Sequence, residues 1–186
     1  MRTNRSISKT VIMQLFVVAI VAVSFASTSV WAAKKNGSGT TALSEPEAEM
    51  LTFMREEEKL ARDVYIEMFE SWDAVIFSNI ADSEQQHMDT LKKMIDKYDL
   101  PDPVLAGLGQ FTNEDLQEKY NELVDAGSIS YIDGLYVGAT IEELDMVDIQ
   151  HAIDVTSHID IITAYQNLLE GSKSHLRAYV GVLEKQ

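Results

Sequence analysis

The chain contains no cysteine. That excludes disulfides, thiolate metal sites, cysteine nucleophiles, a rubredoxin-type iron centre on this chain and a lipoprotein anchor. No aspartate or glutamate occurs before Glu45, and the basic residues of the opening stretch are Arg2, Arg5 and Lys9. Beyond that stretch cations are scarce, with 12 basic residues against 30 acidic ones, a net charge of −18 where the whole chain has −15. So acidic a domain repels nucleic acid and anionic membrane surfaces and attracts cations. Proline occurs three times, as Pro46, Pro101 and Pro103.

What is present begins with an address. Arg2, Arg5 and Lys9 precede an apolar run from Val11 to Ala26, broken only by Gln14 and Ser24. Val30-Trp31-Ala32 puts small residues where cleavage after Ala32 needs them. Residues 1–33 are therefore expected to be a secretory signal, giving a periplasmic or secreted protein. The uncharged stretch Val11–Ala33 is also long enough to span a bilayer, so a retained anchor is the alternative. Residues 34–44 read as a flexible leader, and 45–186 as one domain.

The domain shows helical periodicity throughout. Ser44, Pro46 and Glu47 start a first helix that runs to about Glu70, with Leu51, Met54, Ala61, Tyr65 and Met68 on its apolar face. Glu56 to Glu58 would ordinarily face solvent, but the period forces Glu57 or Glu58 inward. Ser71-Trp72-Asp73 is expected as a turn, followed by a second helix from about Ala74 to Tyr98. So short a link makes the two antiparallel neighbours. Pro101, Pro103, Gly107 and Gly109 break the chain, and Thr112 or Asn113 caps a short amphipathic helix that Gly127 ends. A third long helix spans about Ser130–Val155, its apolar positions including Ile141, Leu144 and Ile149 around the pair Glu142 and Glu143. Thr156 or Ser157 starts the last, whose stripe holds Ile161, Tyr165, Leu168, Ser172, His175 and Tyr179.

Each long helix thus brings a ligand-type residue to mid-length on an apolar face: Glu57 or Glu58, then Glu84 with His87, then Glu142 or Glu143, then His175. Glu84 and His87 are three residues apart and point the same way. One such group is ordinary in a core, where histidine and glutamate hydrogen-bond. Four converging groups argue for a shared buried site. A glutamate from each of two helices, with Glu-x-x-His from the others, builds a di-iron or di-manganese centre. His151 and His158 have no such placement and read as a surface or edge residue and a first-turn residue near the cap.

At these residues the chain resembles the ferritin-like superfamily. Glu58-Lys-Leu-Ala61-Arg62-Asp-Val-Tyr65 is similar to the first-helix motif of rubrerythrins, which favours Glu58 over Glu57 as ligand, and Ser83-Glu84-x-x-His87 matches the second-helix ligands. Closer still is an uncharacterised ferritin-like family, a domain of unknown function. The chain resembles it in Met54 to Asp63, in Gly138-Ala-x-Ile-Glu142-x-x-Asp145 and in Gly171-Ser-x-x-His175-Leu-Arg177. The resemblance implies an all-α, ferritin-like antiparallel four-helix bundle with a short extra helix in the crossover between the second and third long helices. It implies metal ligands Glu58, Glu84, His87, Glu142 and His175. In a redox enzyme Tyr65 and Tyr179 would lie beside them, with plain core packing as the alternative, and Arg62 and Arg177 would pair with ligand carboxylates, with surface solvation as the alternative.

One position departs from the pattern. The fourth long helix carries Ser172-x-x-His175 where Glu-x-x-His is expected, and Asp145, Glu57 or Glu143 is the available substitute. The expected cofactor is two iron ions, with manganese or a single metal as alternatives. The expected function is peroxide reduction or Fe(II) oxidation. The alternatives are non-catalytic binding or buffering of iron or another divalent cation, and a metal-free bundle held by Arg–Glu pairs. The expected partners are metal ions and peroxide or oxygen, with no nucleic acid and, after signal cleavage, no membrane. A homodimer is left open.

Overall fold

The computed structural model describes residues 42–186. The expected signal, residues 1–33, and most of the leader lie outside them. The described chain is all-α, with five helices: α1 (Glu45–Trp72), α2 (Val75–Lys97), α3 (Glu114–Gly127), α4 (Tyr131–Val155) and α5 (Ile159–Leu183). Among the described residues no helix is long and apolar enough to cross a membrane.

Local chemistry sets the ends. The Glu47 carboxylate accepts from the Ser44 backbone N–H at 2.8 Å and from its hydroxyl at 2.7 Å, closing a capping box on α1. Asn113 Oδ1 caps α3 by accepting from Asp115 N and Leu116 N, and Ser130 Oγ caps α4 through Asp133 N. Two expected boundaries move. α1 continues through Ser71 and Trp72, because the Trp72 indole N–H donates to Gly127 O at 3.0 Å and fixes the last turn. The link to α2 is then only Asp73, left-handed at φ 48°, and Ala74. α5 starts with His158 at its N-cap position, without a side-chain cap bond, rather than Thr156 or Ser157, whose hydroxyl and N–H are given to Glu47 Oε1 at 2.9 and 3.0 Å.

The helices bury their stripes in two apolar clusters. One gathers Leu51 and Met54 of α1, Leu91 and Ile95 of α2, Ile149 and Ala152 of α4, and Tyr165 and Leu168 of α5. The other holds Tyr65 and Met68 of α1, Phe77 and Ile80 of α2, Leu116 and Leu123 of α3, Leu135 of α4 and Tyr179 of α5. Positions 55–59, 84–87, 142–145 and 172–175 fall between the clusters, so a layer of polar side chains lies between two apolar ones.

Glu56, Glu57 and Glu58 are all buried, more than the stripe alone demands. The segment between α2 and α3 supplies partners to Arg55, Glu56, Lys59 and Asp63. Glu56 Oε1 accepts from Thr112 N at 2.6 Å, and Arg55 pairs with Asp102 at 3.2 Å. Fully buried Lys59 pairs with Asp63 and donates to Gly107 O at 2.9 Å, while Asp63 accepts from Gly109 N at 2.8 Å. A tight turn at Gly109, φ 65°, brings that N–H inward.

Candidate metal centre

Within the polar layer, α2 presents Glu84 and His87 from one face. His87 Nδ1 lies 2.7 Å from Glu84 Oε2 and 3.1 Å from Glu58 Oε2 of α1. On the other side, His175 Nδ1 of α5 lies 2.8 Å from Glu84 Oε1 and 3.5 Å from Glu142 Oε2 of α4. Two triads result, Glu58–Glu84–His87 and Glu84–Glu142–His175. Within each, one ligand atom per residue falls within 4.8 Å of the others. Glu84 belongs to both and turns one oxygen to each imidazole. The two rings stack, with centroids 5.6 Å apart.

These side chains are oriented from outside. The Tyr65 hydroxyl donates to Glu142 Oε1 at 2.6 Å, and Tyr179 packs on Tyr65 with ring centroids 5.6 Å apart. His175 Nε2 is 3.0 Å from the Ser83 hydroxyl, which leaves Nδ1 for the carboxylates.

Electrostatics couple the group. Burial raises the Glu58 carboxyl, and the His87 contact offsets this only in part. Burial likewise raises Glu142 against its contact with His175 and the hydrogen bond from Tyr65. Burial would raise Glu84 too, but the two imidazoles hold it below the usual carboxylate range. Burial alone would lower both histidines. The carboxylates override it and raise them, chiefly Glu58 at His87, and Glu142 with Glu84 at His175. Without a metal, protons on the imidazoles therefore balance the carboxylates. A metal ion would take over that role, because both ring nitrogens and carboxylates bind metals only when deprotonated.

The donor set fits such an ion. Glu58 Oε1, Glu84 Oε1 and His175 Nδ1 are buried without a hydrogen-bond partner. Of these, Glu84 Oε1 and His175 Nδ1 lie 2.8 Å apart without hydrogen-bond geometry, as two ligands of one ion do. Two carboxylates and one imidazole in each triad suit iron or manganese.

The other sequence candidates separate. Glu143 is exposed and stands away from both triads, so α4 turns one glutamate inward and not a pair; its neighbour Leu144 is exposed as well, which corrects its expected core position. Glu57 is buried against Asp148 and Lys119, outside the triads. Asp145 is buried and hydrogen-bonded with Ser172, so the two together fill the place of the carboxylate absent from α5. Arg62 turns to Asp63 and to Gln85, and Arg177 is exposed. Neither supports a carboxylate of the triads, which corrects that expectation. His151 is exposed; His158 stands at the N-cap position of α5 and its ring contacts the Tyr98 hydroxyl at 3.1 Å. Ser83 escaped the sequence reading, although its position four residues before His87 on the same helix flank is a usable signal.

Comparison with known proteins places the chain. The family described as "Uncharacterized protein domain (DUF2202)" matches residues 47–186, and the chain belongs to it. "Uncharacterized protein MJ0754" of Methanocaldococcus jannaschii is 49% identical over 142 residues, covering 76% of this chain and 77% of that protein. The crystal structure titled "hypothetical protein MJ0754 from Methanococcus jannaschii" aligns with a TM-score of 0.78 at 46% identity, over 81% of this chain and 86% of that one. A DUF305 fragment from Deinococcus radiodurans aligns with a TM-score of 0.62 over 78% of this chain and all of its own, at 12% identity, a likeness of fold alone.

Proposed function

We propose that this DUF2202 chain is an exported, ferritin-like four-helix bundle that holds a dinuclear iron centre and uses it to reduce peroxide or oxidise Fe(II). One observation carries the reading: Glu84 gives one oxygen to each of two triads, so a single carboxylate is set to bridge two ions. In the bundle so proposed, α1, α2, α4 and α5 are its four helices and α3 is the extra one in the crossover. The basic start and apolar run of residues 1–33 support export.

Two ferrous ions would supply the two electrons that, with two protons, take one hydrogen peroxide to two waters. The residues supply the rest. His87 and His175 each serve one triad, with Glu58 and Glu142 as their terminal carboxylates. Ser83 fixes His175 by its outer nitrogen, and the Tyr65 hydroxyl keeps its proton on Glu142 Oε1. The apolar clusters on either side exclude bulk water and strengthen these contacts.

A second reading, binding without turnover, is favoured by one feature: Ser172, tied to Asp145, stands where a second bridging carboxylate would. Anaerobic loading with Fe(II), followed by peroxide or oxygen, distinguishes them. Two irons per chain, one for each triad, oxidised faster than free iron and cycled again after reduction, support the enzyme. Bound iron that oxidises no faster than free iron supports the binding protein. A chain that takes up no metal overturns both.

A further inference from the structure

With no cysteine the chain holds no iron–sulfur or other thiolate electron carrier, so electrons that reduce the centre come from outside it. Glu58, Glu84 and Glu142 are each 1% exposed, which keeps a donor off them. A line of packed rings bridges that gap. The Tyr65 hydroxyl donates to Glu142 Oε1 at 2.6 Å. The Tyr65 ring packs on Tyr179 at a centroid distance of 5.6 Å, and Tyr179 packs on Phe77 at 5.9 Å, both in the range of attractive ring pairs. Phe77 in turn meets Tyr131 edge-on at 6.4 Å. A Cβ at Gly134 would stand 3.2 Å from Trp72 Nε1 and 3.3 Å from Phe77 Cζ, so these two rings also converge on one point of α4.

The sequence of α4 builds this line. Gly134, Gly138 and Glu142 recur every four residues and share one face of the helix. The two glycines leave bare backbone, Gly134 for Trp72 and Phe77 and Gly138 for Tyr179. One turn further on, the line ends at Glu142. Its far end is the end of the bundle where α1 passes into α2 and α3 into α4. Trp72 and Tyr131 are half-buried there, and Val75 and Ile129, close by in sequence, are 62% and 76% exposed. Packing does not account for Tyr179. Its hydroxyl is fully buried without a hydrogen-bond partner, a cost that phenylalanine would avoid.

We infer that Trp72, Phe77, Tyr179 and Tyr65 conduct electrons from an external one-electron donor at this end of the bundle to the centre. The destination rests on the dinuclear reading; the conduction does not. Two donor molecules give one electron each and return two oxidised ions to the ferrous state. Those two electrons, with two protons, take the next peroxide to two waters. No ring is oxidised or reduced in this direction, because packed rings serve only to lower the barrier to tunnelling relative to aliphatic side chains. A strong oxidant at the same end reverses the flow. It takes an electron from Trp72, Tyr65 refills Trp72 through Tyr179 and Phe77, and the Tyr65 proton passes to Glu142 Oε1.

The lack of cysteine makes the test specific, since one added cysteine is the sole site for a thiol label. A ruthenium polypyridyl photosensitiser is placed on Val75→Cys or on Lys93→Cys, each nine residues from Glu84 along α2 but in opposite directions. In the metal-free chain, flash oxidation of the label at position 75 should give a tyrosyl radical, read by transient absorption and electron paramagnetic resonance. Tyr65→Phe should remove that signal. Phe77→Leu and Tyr179→Leu, each checked for fold by circular dichroism, should remove it by breaking the line. A signal that survives Tyr65→Phe and disappears in Tyr131→Phe overturns the route, as does no tyrosyl signal at all. In the iron-loaded, oxidised chain, photoreduction from position 75 should reach the centre faster than from position 93, and Tyr179→Leu should slow only the former. Equal rates from the two positions overturn the route. If the chain takes up no iron, the dinuclear reading fails and the metal-free radical decides the line alone: dependence on Tyr65 and Tyr179 upholds it, and independence overturns it.

Discussion

Gly171 of α5 lies flush against the imidazole of His87 on α2: a Cβ at position 171 would stand 2.5 Å from His87 Nε2 and 2.7 Å from Cε1. Gly138 does the same for Tyr179, where a Cβ would stand 2.4 Å from the ring. Each glycine precedes a residue of the triads, Glu142 or His175, by four positions, one helical turn. Both make room for a ring from across the interior.

Gly171→Ala should therefore disturb one triad through its imidazole. Alanine favours a helix interior by about 1 kcal/mol over glycine, but moving His87 off buried Glu58 and Glu84 costs more, so the metal-free chain should melt lower than its parent. The His87 ring must swing aside, taking Nδ1 from Glu58 and Glu84. The rise in melting temperature on adding Mn(II), measured by calorimetry, should shrink, and bound metal should fall toward half. An undiminished rise would show that His87 holds no ion.

Substituting the carboxylates by their amides ranks them. Glu84 serves both triads, so Glu84→Gln should lose both ions, whereas Glu58→Gln and Glu142→Gln should each weaken one. The amide preserves shape, so circular dichroism should change little. Elemental analysis of protein prepared without chelator reads the stoichiometry. Equal losses in all three variants would show that Glu84 is not shared.

How far the sequence anticipates this can be seen at single residues. Helical period and the Glu-x-x-His spacing suffice to bring Glu84, His87 and His175 to one layer, because a carboxylate or imidazole on an apolar stripe has nowhere else to point. Period alone left Glu57 or Glu58 and Glu142 or Glu143 open, the resemblance favouring Glu58 and Glu142, and it admitted Leu144, which α4 turns outward with Glu143. The rest depends on the segment between α2 and α3. Nothing local in Glu56 or Lys59 says that Thr112 N and Gly107 O will come to meet them. That information lies in a loop about fifty residues away in sequence, and it decides which charged residues a helix can bury.

Glu47 sets the acid limit of the fold. Burial alone would raise its pKa, but hydrogen bonds from the Ser44 hydroxyl and N–H, Ser157 N–H and Thr156 hydroxyl bring it down from 4.5 to about 2. A folded pKa below the unfolded one means that the stabilisation is complete above pH 4.5 and is lost as pH falls toward 2. Glu47→Gln should lower stability at neutral pH by about 1–3 kcal/mol. It should also flatten the fall between those limits in denaturant titrations run at successive pH values. A parallel fall in both proteins would remove Glu47 from acid unfolding.

Ser172 tests the missing carboxylate. The side chain is fully buried and hydrogen-bonded with Asp145, and its hydroxyl also reaches Leu168 O at 3.0 Å. Ser172→Glu alone would set a second carboxylate against Asp145 in a closed space, so the metal-free chain should lose about 1–3 kcal/mol from overpacking, before any charge repulsion. Ser172→Glu with Asp145→Ser moves the acid across the interface and roughly conserves volume, and should recover most of that loss. A double-mutant cycle on the metal-free melting curves measures the coupling. The exchanged chain then carries Glu-x-x-His on α5, and its affinity for the second ion should rise. If Ser172→Glu alone is as stable as the parent, the side chain at position 172 is not confined against Asp145.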